Sequence, residues 1–461
     1  MKKVHCPNAN KSRGSSLLLI RTALLLGCAL CLMAQTDNAT PPSTDDYGGP
    51  AILSRGQVPG AATAAPIAFR PYIGVSGIYD SGLLPVSVNS NGQIPTPGLY
   101  GVEVNLGLYG YHTWKHTTLG LDYRGNIRHY SQNTYFDGSD HILSLILTHR
   151  PGKRWIFTLR NQAGTYSQNY FLTSLGYLSP SYLQLPQNDI YDNRVIFLST
   201  SADVTYRMTA RLSFNFGGEG DLIRRRSTAL YGVTSATARA DMQYRIRRHT
   251  TLGADYRFMR FDFTQGFGNS NIHSVGLTYA TQFTRHLELS ARIGGARVES
   301  LSLAVVPIDP AIAAIIGQSF GIQTAHRVNY IPDVTARLTE SFRRSQFYLD
   351  YSNSVTPGNG VYLTSRMQSG GGGYHYTGIR YWNFGVDGSY NRMSALVQTL
   401  GNFATYGGGV GVTRELRKGF HVVMRMDVRH YAVAGNYFIH NEYRAMLGFT
   451  FSPGDVPLAL W

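Results

Sequence analysis

The sequence predicts an all-β protein, a transmembrane antiparallel up-and-down β-barrel of about 18 strands, with 16 to 18 as the expected range. Three observations predict it. Apolar and polar residues alternate with a period of two, short polar turns recur along the chain, and longer connections lie midway between them. Gly contributes 50 residues, Tyr 31 and Phe 21, and only 15% of residues are charged, which favours neither a helix-rich enzyme nor a disordered chain.

The first 34 residues have the order of a secretory signal peptide. Basic residues without any acid come first, an apolar stretch runs from Thr22 to Met33, and the small Ala34 follows at the expected cleavage position. Residues 35–68 are rich in Pro, Thr, Ala and Gly without periodicity, which predicts a flexible periplasmic tail. Beyond Ala34 no apolar run reaches the roughly 18 to 20 residues of a spanning helix, so membrane contact is expected through strands.

The cysteines indicate that the exported chain has no disulfide. All three, Cys6, Cys28 and Cys31, lie within the predicted leader. Leu25 to Cys28 is similar to a lipoprotein cleavage box, although Leu26 is large where a small residue is usual. Lipidation at Cys28 and an ordinary cysteine of the apolar region therefore both remain open.

Alternation predicts strands with one apolar and one polar face. Residues 117–130 place Leu119 and Leu121 on one face and Asp122 and Arg124 on the other. Residues 194–207 and 420–429 repeat the pattern. Short polar or basic turns separate pairs of such strands, and they lie near Lys115, Pro151, Thr209, Arg248, Arg285, Arg344, Gly378 and Lys418.

Eight short turns imply nine hairpins and eighteen strands between Phe69 and Phe451. An even number of strands brings both chain termini to one side, expected to be periplasmic, with the long loops extracellular. Two insertions, 169–192 and 301–327, lie midway between short turns. In lipid each unpaired backbone group costs several kcal/mol, so the sheet must close, and about eighteen strands enclose a lumen wide enough for water.

Residues 69–451 resemble a Gram-negative outer-membrane β-barrel of the porin type. The last strand is similar to the C-terminal assembly signal of that class, with apolar residues at alternate positions. These assembly-signal residues are Tyr443, Ala445, Leu447, Phe449 and Phe451. The resemblance implies outer-membrane lipid, lipopolysaccharide and the barrel-assembly machinery as partners. Residues 452–461 depart from it, because the typical signal ends the chain, and they are interpreted as a C-terminal extension.

Charged side chains are expected to line the lumen, because a cation on the lipid face would cost roughly 2 to 4 kcal/mol near the midplane. Both signs occur there, so the sequence predicts mild anion preference at most. Much of this charge is expected to be paired, because Asp and Arg often stand two or four residues apart on one strand. The candidate pore-lining residues are Asp122, Arg124, Arg128, Asp203, Arg207, Asp241, Arg245, Asp255, Arg257, Arg425, Asp427 and Arg429.

A nine-residue string occurs twice, as residues 116–124 and 249–257, and differs at one position. Each copy follows a predicted turn. One interpretation is an inherited lumen pair, Asp122 with Arg124 and Asp255 with Arg257. The other is that the string simply makes a good barrel strand.

The insertion 301–327 is unusually apolar, and Asp309 followed by Pro310 predicts a short helix. Such a helix would either fold into the barrel mouth and narrow it, or pack against neighbouring loops or a second subunit. Arg224, Arg225 and Arg226 close another strand at the same rim, where lipopolysaccharide phosphates or solvent would surround them.

No enzymatic motif emerges from the sequence. Residues 317–321 match G-x-S-x-G, but no strand-turn-helix context surrounds them. The sequence predicts no cofactor and no metal site, and it offers no basic helix or aromatic signature for nucleic acid. The expected function is passive diffusion of small polar or anionic solutes. Export of an anionic exopolysaccharide, a non-transporting scaffold or adhesion barrel, and a barrel hydrolase are the alternatives, and the oligomeric state is not predicted.

Overall fold

The computed structural model describes residues 67–82, 98–131, 136–166, 194–264, 267–309, 315, 317–342, 344–396, 401–417, 419–433 and 438–452. The predicted signal peptide, residues 35–66 of the predicted tail, the insertion 169–192 and residues 453–461 lie outside these ranges. In the ranges described, no helix has both the length and the apolar character needed to cross a membrane.

Eighteen antiparallel strands form a single sheet, which confirms the predicted fold class and strand number. They are β1 Ile67–Ser81, β2 Gly98–Thr113, β3 Thr117–Tyr130, β4 Gly138–His149, β5 Trp155–Tyr166, β6 Val195–Arg207, β7 Leu212–Arg225, β8 Gly232–Arg247, β9 Thr250–Thr264, β10 Asn269–Gln282, β11 Leu287–Pro307, β12 Phe320–Ser341, β13 Ser345–Thr356, β14 Ser365–Tyr376, β15 Trp382–Ala395, β16 Asn402–Arg417, β17 Phe420–Val433 and β18 Phe438–Phe451.

The sheet closes into a barrel. Each strand pairs with its neighbours in sequence, and β1 pairs with β18 from Ile73 opposite Phe451 to Ser81 opposite Tyr443. Closure removes both sheet edges, so every strand has a partner on each side. The barrel begins at Ile67, two residues before the predicted start, and therefore takes Ile67 and Ala68 from the predicted tail.

The two ends of the barrel differ in their connections. The turn end carries eight short connections at the predicted places, for example 208–211 between β6 and β7 and 283–286 between β10 and β11. The Thr209 hydroxyl accepts hydrogen bonds from the backbone N–H groups of Arg211 and Leu212 at 3.1 and 2.9 Å, which fixes the first of these turns. The opposite end, called the loop end, carries the remaining connections.

An apolar belt surrounds the outer face. Ile73, Leu277, Ile293 and Phe449 lie on it with 53 to 66% of their surface exposed. Aromatic pairs border the belt. Near the turn end these are Trp155 with Tyr206 and Trp382 with Phe384, and near the loop end Tyr79 with Tyr100 and Tyr390 with Tyr406. Aromatic girdles on either side of an apolar belt are typical of barrels that face hydrocarbon.

The strands extend further into the apolar insertion 301–327 than the sequence predicts. Strands β11 and β12 have 21 and 22 residues, and they stay paired as far as Pro307 opposite Phe320. Leu303 and Ile322 of this hairpin are 50% and 73% exposed, so these two apolar side chains do not narrow the mouth. Continued strand pairing satisfies the backbone here and explains the difference. Most of the predicted helix, residues 310–314 and 316, falls outside the described ranges.

Candidate functional site

The inner face of the barrel carries polar and charged side chains that alternate with the outer apolar belt. The structure places all twelve candidate pore-lining residues on this inner face. Many are deeply buried, among them Arg128 at 2% and Asp255 at 4% exposure. Their contact with a solute stays a prediction. The candidate assembly-signal residues Tyr443, Leu447, Phe449 and Phe451 lie on the outer face of β18 and are each at least 41% exposed.

Several ion pairs join residues two positions apart on one strand, as the sequence spacing predicts. The Arg124 Nη2 atom lies 2.8 Å from Asp122 Oδ2 on β3. The Arg425 Nη2 atom lies 2.7 Å from Asp427 Oδ1 on β17. Side chains two apart share one face of a strand, so each pair stays within the lumen wall.

Other arginines form ion pairs with carboxylates two strands away. Asp203, Gly217 and Arg239 lie in one row across β6, β7 and β8. The Arg239 guanidinium donates to Asp203 from Nε at 2.9 Å and from Nη2 at 2.5 Å, a bidentate pair. Its Nη1 atom also lies 3.4 Å from Glu219 Oε2. A Cβ at Gly217 would meet both Asp203 and Arg239, so the absent side chain makes the bridge possible.

The same arrangement recurs at Arg292 of β11. Its Nε atom donates to Asp255 Oδ1 on β9 at 2.8 Å, and its Nη1 atom lies 2.5 Å from Asp333 Oδ2 on β12. Gly276 on β10 lies beneath it, where a Cβ would come within 2.9 Å of the guanidinium. Asp255 is also 3.3 Å from Arg257 Nε, so the predicted pair of Asp255 with Arg257 is present. Its carboxylate is shared with Arg292.

Arg425 repeats the arrangement a third time. Besides Asp427, its Nη2 atom contacts Asp387 of β15 at 3.0 Å, over Gly409 of β16. Three bridges of this kind tie rows of strands together along the inner wall. They also neutralise charge within the wall itself.

A further polar network lies at the loop end, around the seam between β18 and β1. Arg444 forms an ion pair with Glu103, and the Tyr130 hydroxyl donates to Asp80 Oδ2 at 2.6 Å. Nearby, Arg128 Nη2 donates to Asp140 Oδ2 at 2.7 Å. These contacts link the first strands of the barrel to the last strand, at the seam where β1 and β18 close the barrel.

The connection between β13 and β14, residues 357–364, is called the strap. It is largely buried, and Asn359 is only 2% exposed. The Asn359 Oδ1 atom accepts hydrogen bonds from the backbone N–H groups of Val361 at 3.1 Å and Tyr362 at 2.9 Å. Gly358 and Gly360 adopt φ angles of 78° and 92°, which favour glycine. These features give the strap a defined shape.

The strap crosses the lumen at the loop end. The Gly360 carbonyl accepts a hydrogen bond from the Tyr231 backbone N–H at 3.1 Å, and Tyr231 immediately precedes β8. Thr364 Oγ1 lies 2.5 Å from Ser270 Oγ on β10. Five strand intervals separate β13 from β8, a distance of about 24 Å along the wall. A short connection reaches that far only by cutting across the interior.

Apolar side chains hold the strap in place. Tyr362, 6% exposed, packs with Met367, Met393, Phe403 and Tyr431, which point inward from β14 to β17. Leu363 packs on a second inward cluster that extends from β4 to β13. Burial raises the pKa of the Tyr362 hydroxyl above its usual value. The mouth at this end is therefore narrowed by packed protein.

Sequence reasoning missed the strap and the long bridges. The available signal was three apolar residues, Val361 to Leu363, directly after a Pro-Gly-Asn-Gly turn, where an exposed loop would be polar. The general expectation that charged side chains line the lumen covers Arg239 and Arg292, but alternation alone does not show which strand carries their partners. Within the described ranges, His, Cys, Asp and Glu form no group of three or more able to hold a metal ion.

Comparison with known proteins gives only distant likenesses. No family model matches the chain, and no curated protein matches it. Among solved structures, it is similar to OccK2 (OpdF) of Pseudomonas aeruginosa at 13% identity and a TM-score of 0.40, covering 83% of this chain and 98% of that one. It is similar to OccAB4 of Acinetobacter baumannii at 12% identity and 0.39, covering 84% and 98%.

A third structure that the chain resembles is the outer membrane protein opdK of Pseudomonas aeruginosa, at 13% identity and a TM-score of 0.39, covering 84% of this chain and 99% of that one. At such identities and TM-scores the likeness assigns neither a solute nor a mechanism to this chain.

Proposed function

We propose that this protein is a passive outer-membrane channel for small polar or anionic solutes. The turn end and both chain termini face the periplasm, and the loop end faces the exterior. A closed barrel with an apolar outer belt and a charged inner wall supports a water-filled path through a bilayer. Outer-membrane lipid and lipopolysaccharide surround the belt, and the barrel-assembly machinery recognises β18.

The strap is the observation that carries this proposal. It crosses the mouth of an eighteen-stranded barrel that would otherwise be wide, and it is fixed by backbone hydrogen bonds and apolar packing. A channel that admits small solutes and excludes large ones needs such a constriction. An adhesion or scaffold barrel does not require a size limit in its lumen.

The charge pattern supports an ionic preference that is mild at most. Arg239, Arg292 and Arg425 each contact two carboxylates, so their positive charge is largely compensated. Ionic selectivity then depends on the charges that remain accessible to water. No covalent chemistry is proposed for the chain, because the inner face supports diffusion without it.

Liposome swelling tests the proposal. Purified protein in vesicles should admit monosaccharides and disaccharides readily and exclude larger oligosaccharides. Vesicles that swell equally with every oligosaccharide would indicate a wide bore, as export of an exopolysaccharide requires. Vesicles that never swell would indicate a scaffold, and either outcome would contradict a size-selective channel.

A further inference from the structure

A basic cavity lies inside the turn end of the barrel, far from the strap. It encloses about 380 Å³ and is bounded by β6 to β9 together with the turns at 150–154 and 208–211. This volume is at the small end of the range of small-molecule sites. Strand residues of its lining are Arg207, Ser213, Gln243, Arg245 and Thr251.

Strand register builds the concave wall of this cavity. Arg207, Ser213 and Gln243 stand in one row across β6, β7 and β8. Arg245 stands opposite Thr251 in the next pair of strands, on the same inner face. Ser213, Gln243 and Thr251 therefore give this wall neutral side chains, and Arg207 and Arg245 add two long cationic ones.

The two turns bring further cations to the rim. The Arg207 backbone N–H donates to the Arg154 carbonyl at 2.8 Å, and the Arg245 N–H donates to the Arg211 carbonyl at 2.7 Å. These backbone bonds fix the turns against the strands. Thr209 caps its turn as described above, so the rim keeps its shape without a ligand.

The cavity is electrostatically one-sided. Five cations line it, Lys153, Arg154, Arg207, Arg211 and Arg245, and no acid is among the described residues of its lining. Two carboxylates, Asp203 and Asp241, lie next above it on this wall. Asp203 receives Arg239, and Asp241 accepts a hydrogen bond from Asn215 Nδ2 at 3.0 Å. The lining of this cavity therefore carries positive charge, whereas the bridges formed by Arg239, Arg292 and Arg425 combine charges of both signs.

We propose that this cavity is a binding site for the oxyanion group, phosphate or carboxylate, of a monosaccharide-sized solute. The guanidinium groups match the geometry of such oxyanions. Thr209, Ser213, Gln243 and Thr251 supply hydroxyl and amide groups that suit the hydroxyls of a sugar. The site deepens the proposed function, because it gives the channel an anion-binding station at its periplasmic end. Binding there is measurable whether or not the barrel conducts.

Titration calorimetry of the purified, detergent-solubilised barrel tests the site with galactose, galactose 6-phosphate and galacturonate. Both anions should bind and neutral galactose should not. The anion that binds more tightly shows whether the site prefers a phosphate or a carboxylate group. The Arg207→Gln/Arg245→Gln double variant should bind at least about tenfold more weakly, because two charge-assisted contacts are lost. Raising the salt about tenfold should weaken binding to the native protein.

Arg285→Gln is the matched control. Arg285 lies in the turn 283–286, where Thr284 caps the backbone as Thr209 does, but it is outside the cavity and exposed. This variant should bind like the native protein, and resistance of all variants to unfolding in dodecyl sulfate without heating shows that they are folded. Equal binding of galactose, or unchanged binding by the folded double variant, would overturn the site. Binding without any solute flux would instead contradict the channel and leave the site standing.

Discussion

Arg239 on β8 and Asp203 on β6 are held together across the intervening strand by two hydrogen bonds of 2.9 and 2.5 Å. Both side chains are largely buried, at 13% and 9% exposure. The pair ties three strands together above Gly217, and two other arginines do the same elsewhere on the wall. The lumen charge therefore serves wall stability as well as any solute.

Gly217→Ala should destabilise the barrel. The new Cβ would lie 2.6 Å from Arg239 Nε, so the buried pair must separate, at a cost of about 1 to 3 kcal/mol. Urea unfolding in lipid vesicles measures this free energy. Gly218→Ala is the control, because its Cβ would meet only the Thr237 carbonyl, at 3.7 Å. Equal stability of the two variants would show that Gly217 does not matter for the pair.

Arg292→Met should shift the channel toward cations. The substitution leaves Asp255 and Asp333 facing the lumen without the guanidinium that both contact. The reversal potential in a salt gradient should move in the cation-selective direction. Arg260→Met is the control, because Arg260 pairs with Asp262 on the outer face, where it is 49% exposed. If both variants keep the native reversal potential, Arg292 does not contribute to ion selectivity.

Asn359→Ala should loosen the strap. The variant loses the side-chain oxygen that accepts two backbone hydrogen bonds, each contributing about 1 kcal/mol. Single-channel recordings should then show more frequent current fluctuations between open levels. Asn402→Ala removes an exposed hydrogen bond, from Ser394 at 2.8 Å, between the ends of β15 and β16 beside the next loop-end connection, and should leave the recordings quiet. Identical noise in both variants would contradict an ordering role for Asn359.

Ile293→Arg should cost about 2 to 4 kcal/mol of folding free energy in a bilayer, because the new cation would face hydrocarbon. Ile293 is 66% exposed on the outer face of β11. Four residues further on the same face, Arg297 is tolerated and pairs with Glu299 near the loop end. Ile293→Ala separates the loss of apolar area from the added charge. If the arginine variant refolds into vesicles as well as the alanine variant, hydrocarbon does not contact this face.

Much of the barrel could be predicted from residue periodicity. The eight short turns and eighteen strands follow from a period of two interrupted by polar residues, since these depend on local sequence. The same holds for ion pairs within a strand, such as Arg124 with Asp122. For a charged residue at the height of the apolar belt, the inward orientation also follows from the cost of placing a charge in lipid.

Contacts between strands could not be predicted in the same way. The bridge from Arg292 to Asp333 depends on register, which a single sequence does not specify. The strap depends on which of several connections turns inward. By composition, the larger apolar insertion 301–327 is the stronger candidate for that position. The hairpin there continues its own pairing, whereas residues 361–363 have no strand partner and bury their side chains in the lumen.

Single-channel conductance of a strap-shortened barrel tests the central claim most directly. Thr356 and Ser365 are opposite each other in the β13–β14 pair, so a short Gly-containing hairpin turn can replace Gly358–Leu363 without moving either strand. The native barrel should conduct in steps, and the shortened barrel should conduct at least about twice as much, because the constriction is gone. If both folded proteins give the same conductance, or if neither conducts, the strap does not set the bore of a water-filled channel.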